Sequence, residues 1–384
     1  MAKNPHKIVI VGGGAGGLIL ATKLGQRLGK KGRAKITLVD PQMAHFWKPL
    51  LHEVAAGTLD SYVDELSYAA HSRSHGYSFC LGAMKGLDRQ RKQIQVAEVV
   101  GREGEEIIPE RTLQYDTLVL AVGSATNDFG IPGVREHCLF LDSLPEAVRF
   151  QRVFLQRWMA ADSHNELDSR KLSVAIVGAG ATGVELTAEL HTAIREMRYY
   201  NLIDLPVEEA VQLSLIDSSE RILPALKDKV GKQTETILKK LGVTIYTGEI
   251  IAKATSEGFH TKSGRFIPAD IRVWAAGIKA PDWLANLDGL ESNRLNQLVV
   301  SPKLQTSRDE NIFAIGDCAS CQLSGMDRPV PPRAQSANQQ ALLLAQSIQA
   351  RLNQRDLLEY RYVDRGSLIN MSFYSTVGSL MGNL

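Results

Sequence analysis

KIVIVGGGAGGLILATKLGQRLG (residues 7–29), followed by ITLVD (36–40), decides the fold. Lys7 to Val11 is short, apolar and β-branched and ends at glycine, which predicts a buried parallel strand. Residues 15–29 carry Leu18, Ala21, Leu24 and Leu28 at helical spacing, and 36–40 predicts the next strand. Between strand and helix lies Gly12-x-Gly14-x-x-Gly17. The first glycine allows a tight turn, the second lets a pyrophosphate approach the backbone, and the third lets helix and strand pack closely. Asp40 closes the second strand, where an acid accepts a hydrogen bond from a ribose hydroxyl. Free N–H groups at the helix start suit a phosphate. Strand, glycine turn, helix, strand and acid together predict a dinucleotide site.

Working outward, the same order recurs. LSVAIV (172–177) predicts a strand, GAGATG (178–183) a turn, and residues 184–199 a helix with Val184, Leu186, Leu190 and Ile194 on one face. VQLSLID (211–217) ends in Asp217, and Gly178-x-Gly180-x-x-Gly183 repeats the fingerprint. Two further strands end in glycine, YDTLVLAVGS (115–124) at Gly123 and ADIRVWAAG (269–277) at Gly277. The first unit spans Gly12 to Gly123 and the second Gly178 to Gly277, an internal duplication with a period near one hundred residues. A charged, helix-like linker is expected over 145–170. ENIFAIGD (310–317) predicts another strand, and a helix from Ala334 to Leu352 follows a Pro-rich turn. Alternating strands and helices imply an α/β fold with parallel sheets.

Composition agrees. The 384 residues allow two or three domains at roughly 150 residues each, and 44% hydrophobic with 22% charged residues is ordinary for a globular chain. A net charge of +2 gives no electrostatic case for nucleic acid. Four cysteines (80, 138, 318, 321) are neither a disulfide scaffold nor a four-cysteine zinc site, and no metal site is expected. Residues 1–11 do not form a signal peptide, and no run reaches the 18 apolar residues of a membrane span.

Two dinucleotide sites in one chain suggest two cofactors exchanging electrons, commonly a tightly held flavin and a diffusible nicotinamide. Asp217 favours NADH over its 2′-phosphorylated form, a preference that Arg221 nearby weakens. Asp317, at a strand end, can bond the ribityl hydroxyls of a flavin.

The whole chain resembles the two-dinucleotide flavoprotein superfamily and, within it, type II NADH:quinone oxidoreductase, the single-subunit respiratory NADH dehydrogenase that pumps no protons. The resemblance rests on IVIVGGGAGG (8–17), WKPLLHEVAAG (47–57), YDTLVLAVGS (115–124), VGAGATGVELTAEL (177–190), ERILPAL (220–226), VWAAGIKAPD (273–282), IFAIGDCAS (312–320) and PPRAQSANQQ (331–340). It implies two Rossmann-like domains, the second inserted in the first. The FAD domain would comprise 1–145 and 296–384, its C-terminal part completing it, and the NADH domain 146–295. FAD would meet Gly12, Gly14, Ala15, Gly16, Gly17, Asp40, Lys48, Ala121, Gly123 and Asp317. NADH would meet Gly178, Gly180, Thr182, Gly183, Asp217 and Gly277. Glu185 would lie beside the nicotinamide and flavin, in the helix's first turns, and Ala334 and Gln335 would form the quinone pair. The Gln335 amide can donate to a quinone carbonyl. Catalysis would be ping-pong, with Glu185 or Gln335 and water supplying quinol protons.

Three other readings share parts of this pattern. A disulfide reductase would place a cysteine pair beside the flavin or in the nicotinamide domain, and neither is present. A sulfide:quinone oxidoreductase would need reactive cysteines, for which Cys138 and Cys318 are the candidates, and a degraded nicotinamide fingerprint. A redox sensor would need an effector surface. The resemblance further implies C-terminal amphipathic helices that seat the enzyme on the cytoplasmic face of a membrane, and a possible homodimer. The run from Ser367 to Leu384 shows no such helix, so a membrane-seating segment absent from this chain is expected.

Overall fold

A computed structural model describes residues 5–60, 65–163, 171–199 and 207–380. In chain order the elements that build the site are β1 (His6–Val11), α1 (Ala15–Leu24), β2 (Ala34–Asp40), α2 (Leu51–Ala56), β3 (Ser78–Leu81), β4 (Thr117–Leu120) and α3 (Leu144–Ser163). There follow β5 (Leu172–Val177), α4 (Ala181–Tyr199), β6 (Val211–Ile216), β7 (Thr244–Tyr246), β8 (Ile271–Trp274), β9 (Asp309–Ala314), α5 (Ala334–Leu352), β10 (Gly366–Asn370) and β11 (Thr376–Leu380).

The chain groups into two compact units. The first takes residues 1–47, 64–125 and 279–363. Its sheet holds the parallel order β9-β4-β1-β2-β3, extended beyond β9 by the short strands 305–306, 298–300 and 319–321. Ile8, Ile10, Leu38, Leu118, Val119 and Phe313 are buried in it, with Leu20, Leu24 and Leu344 from the helices, each contributing about 1.5–3 kcal/mol by leaving water. A Cβ at Gly16 would lie 3.3 Å from the Ala337 carbonyl oxygen, so glycine sets the close approach of α1 to α5. The helix expected to reach residue 29 runs to Leu24, and Gly25–Gly29 forms one wider π turn.

The second unit takes residues 48–63, 126–278 and 364–384. Its parallel sheet has the order β7-β6-β5-β8. The core strands are therefore ordered third, second, first, fourth in both units, the doubly wound arrangement. The expected linker is an element of this unit: α3 runs to Ser163 and buries Phe150, Phe154 and Trp158. Residues 164–170 lie outside the described ones. The run from Ser367 is an antiparallel hairpin, β10 with β11, over 366–380.

Candidate active site

In the first unit, Gly12 has φ +98°, and a Cβ there would sit 2.4 Å from the Ala121 carbonyl oxygen. Its N–H donates to the Val39 carbonyl at 2.8 Å, while Ala121 N–H donates to Val11 at 2.8 Å. The turn is thus locked between β1, β2 and β4. A Cβ at Gly17 would fall 1.8 Å from the Gly12 oxygen, whereas around Gly14 a Cβ meets nothing within 4 Å. The first α1 bond runs from Leu18 N–H to the Gly14 carbonyl, so the N–H groups ahead of it precede the helical ladder. Closed at Gly12 and Gly17, open at Gly14 and half-open at Ala15, the turn is a cradle that fits a pyrophosphate.

Asp40 Oδ2 accepts from Gly13 N–H at 2.6 Å and Oδ1 from Gln42 N–H at 2.8 Å. Each carboxylate oxygen keeps acceptor capacity for a ribose hydroxyl. Burial raises the Asp40 pKa, and the two backbone donors oppose that rise. Tyr68 braces the loop, its hydroxyl donating to the Gly13 carbonyl at 2.8 Å. Asp317 Oδ2 accepts from the Ser124 hydroxyl at 2.8 Å, next to Gly123 (φ +70°), and its carbonyl accepts from the Gln297 amide at 2.9 Å. Gly316 N–H donates to Gln340 of α5 at 2.7 Å. Ala334 and Gln335, both half-buried, open α5, and Ser336 braces that start by donating to the Pro331 carbonyl at 2.7 Å.

The second unit repeats this geometry bond for bond. Gly178 has φ +108°, and a Cβ there would lie 2.7 Å from Ala275. Its N–H donates to Ile216 at 2.7 Å, and Ala275 N–H donates to Val177 at 2.8 Å. A Gly183 Cβ would fall 1.9 Å from the Gly178 oxygen, while Gly180 has open space. Asp217 accepts from Ala179 N–H at 2.6 Å and from Ser219 N–H at 2.8 Å. Gly180 and Thr182 are exposed at the cradle's edge, as is Gly277 (φ +68°). Arg221 donates to the carbonyls of Leu223, Pro224 and Leu226 at 2.8–3.3 Å. Its guanidinium thereby closes the 221–226 loop.

The helix predicted from residue 184 begins at Ala181, so Glu185 sits in its second turn. Glu185 Oε1 accepts from Asn370 N–H of β10 at 3.1 Å, and Oε2 lies 3.9 Å from His52 Nδ1 of α2. Burial, with Glu53 and Glu189 nearby, raises its pKa to about 7 against the one bond from Asn370. Glu189, one turn on, accepts from the Thr58 hydroxyl at 3.0 Å. His52 is 4% exposed, and burial lowers its pKa to about 4. The hairpin is fastened to α4 by Tyr374, whose hydroxyl meets His191 Nδ1 at 2.6 Å and whose ring lies under the Arg195 guanidinium.

Sequence reasoning missed His52, Glu189, Asn370 and Tyr374. Glu185 and Glu189 share a helix face at i, i+4, a signal that was readable. Lys48 is exposed in the second unit, its Nζ 3.5 Å from Asp142 Oδ1. The cysteines are free. Burial raises the Cys138 and Cys318 thiols to about 12 and Cys321 to about 11, so none carries the thiolate that sulfide chemistry requires.

Two glycine turns of one geometry accord with a two-nucleotide oxidoreductase, and the sequence model described as "Pyridine nucleotide-disulphide oxidoreductase" matches residues 6–341. The chain is 42% identical over 386 residues to a type II NADH:quinone oxidoreductase of Haemophilus influenzae, covering 97% of this chain and 86% of that relative. It is 27% identical to the protein of that name from Staphylococcus aureus, covering 100% of this chain and 91% of the relative. The chain belongs to the type II NADH:quinone oxidoreductase family. Its fold matches that of NDH2 from Plasmodium falciparum, solved in complex with NADH, with a TM-score of 0.85 at 21% identity over 98% of this chain and 90% of that one.

Proposed function

We propose that the chain is an FAD-dependent NADH:quinone oxidoreductase that reduces quinone by two electrons without pumping protons. The observation that carries this reading is the second cradle, intact from Gly178 to Asp217 and built like the first. A flavoprotein that does not use a nicotinamide nucleotide has no need of it. The name of the 42% identical relative supports quinone as acceptor.

FAD, when bound, would supply the two-electron chemistry that links NADH to quinone. The chain's residues bind and orient. Gly12, Gly14, Ala15, Gly16 and Gly17, with Asp40, Ala121, Gly123 and Asp317, would hold the FAD pyrophosphate, ribose and ribityl chain, and Lys48 would lie beside the flavin. Gly178, Gly180, Thr182, Gly183 and Gly277 hold NADH, and Asp217 accepts from its 2′-hydroxyl. Gln335 would donate to a quinone carbonyl beside Ala334, and Glu185 or Gln335 with water would supply the quinol protons. On this reading the FAD domain takes 1–145 and 296–384, and the NADH domain 146–295. No helix among the described residues is long and apolar enough to cross a membrane. A lipid-soluble acceptor supports a peripheral seat on a membrane surface.

The test is a visible spectrum of purified protein under anaerobic conditions. Flavin bands bleached by NADH and restored by a soluble quinone analogue are expected. A colourless protein, or bands that NADH leaves unchanged, would overturn the reading.

A further inference from the structure

In the second unit, His52 and Glu53 on α2 face Glu189 on α4. One ligand atom from each lies within 4.8 Å of the other two. Three donors on one tetrahedral transition-metal ion, at bond lengths near 2.1 Å, sit about 3.4 Å apart. A small closure of the side chains therefore brings this group to ligand spacing.

Acidic residues gather without ions on many surfaces, but His52 is different. It is 4% exposed, and its buried Nε2 has no hydrogen-bond partner among the described residues. The two ring nitrogens face different groups: Nδ1 lies 3.9 Å from Glu185 Oε2, and the unpartnered Nε2 lies on the Glu53 side. The Thr58 hydroxyl orients Glu189 by donating to its Oε2 at 3.0 Å, as an outer partner holds a metal-binding side chain. His52 Nε2 also lies 3.8 Å from Glu53 Oε1.

We propose that His52 Nε2, Glu53 and Glu189 bind a divalent transition-metal ion of the Zn²⁺ class, tying α2 to α4. A nitrogen donor with two carboxylates selects such an ion over Ca²⁺ or Mg²⁺, which take oxygen ligands. Three protein ligands leave a coordination position for water.

The flavin-loaded protein is stripped with chelator, desalted and titrated with Zn²⁺ against a chromogenic indicator. One equivalent bound is expected, with an affinity at least tenfold weaker in His52→Gln and in Glu189→Gln. X-ray absorption of the zinc-loaded wild type should show one imidazole nitrogen, oxygens and no sulfur. No zinc uptake, unchanged affinity in both variants, or sulfur in the shell would overturn the proposal. If a variant fails to fold, the wild-type absorption spectrum still decides. Because none of these readouts uses NADH or quinone, the proposal stands or falls apart from the redox reading.

Discussion

Gly14 and Gly17 respond to a methyl group for opposite reasons. At Gly17 a Cβ is driven to 1.8 Å from the Gly12 oxygen. Gly17→Ala should cost about 1–3 kcal/mol through a forced backbone shift and lose FAD. At Gly14 the Cβ has room in the free protein, yet it enters the space assigned to pyrophosphate. Gly14→Ala should keep the wild-type melting temperature while FAD retention falls at least tenfold. Thermal melts and flavin content after gel filtration check both, and equal flavin content in wild type and Gly14→Ala would refute the cradle assignment. These glycines were legible because each is required by contacts within a few residues or between adjacent strands. Glu185 was legible as a position beside the second fingerprint, but its partners were not. Asn370 and His52 come from distant parts of the chain, and no local pattern marks them.

At the scale of elements, α3 shows how charge misleads. Its segment reads as a solvated linker because Arg149, Arg152 and Arg157 punctuate it. Phe150, Phe154 and Trp158 nevertheless recur at i, i+4 and i+8 and are at most 4% exposed, so a buried stripe runs beneath the charged face. Phe154→Ala should therefore cost about 3–5 kcal/mol, read from the urea midpoint. A cost below about 1 kcal/mol would mean a true linker. The C-terminal run was equally opaque. Its short apolar stretch contains no obvious turn dipeptide, and what makes it a hairpin is its docking on α4 through Asn370 and Tyr374.

For the whole molecule, the buried thiols set the alkaline limit. In the fold Cys138 and Cys318 are raised to about 12 and Cys321 to about 11, against about 8.5 in the unfolded chain. A raised pKa means that the fold favours the neutral thiol. That contribution is complete below about pH 8.5 and is lost as pH climbs towards 11–12. Tyr77, raised to about 12 by burial, adds in the same direction. The melting temperature should hold to about pH 8.5 and then decline, less steeply in Cys318→Ala/Cys321→Ala. Identical slopes from pH 9 to 11 would sink this account.

The sequence by itself determined the two cradles, their strand–turn–helix order and the acids that close them, because each needs only steric rules and hydrogen bonds within one βαβ unit. Tertiary structure alone decided what surrounds Glu185. Thr58 reaches Glu189 across 131 positions, and Asn370 reaches Glu185 across 185. Contacts at that separation follow from how α2, α4 and the hairpin pack, and packing is a property of the assembled surfaces rather than of any segment.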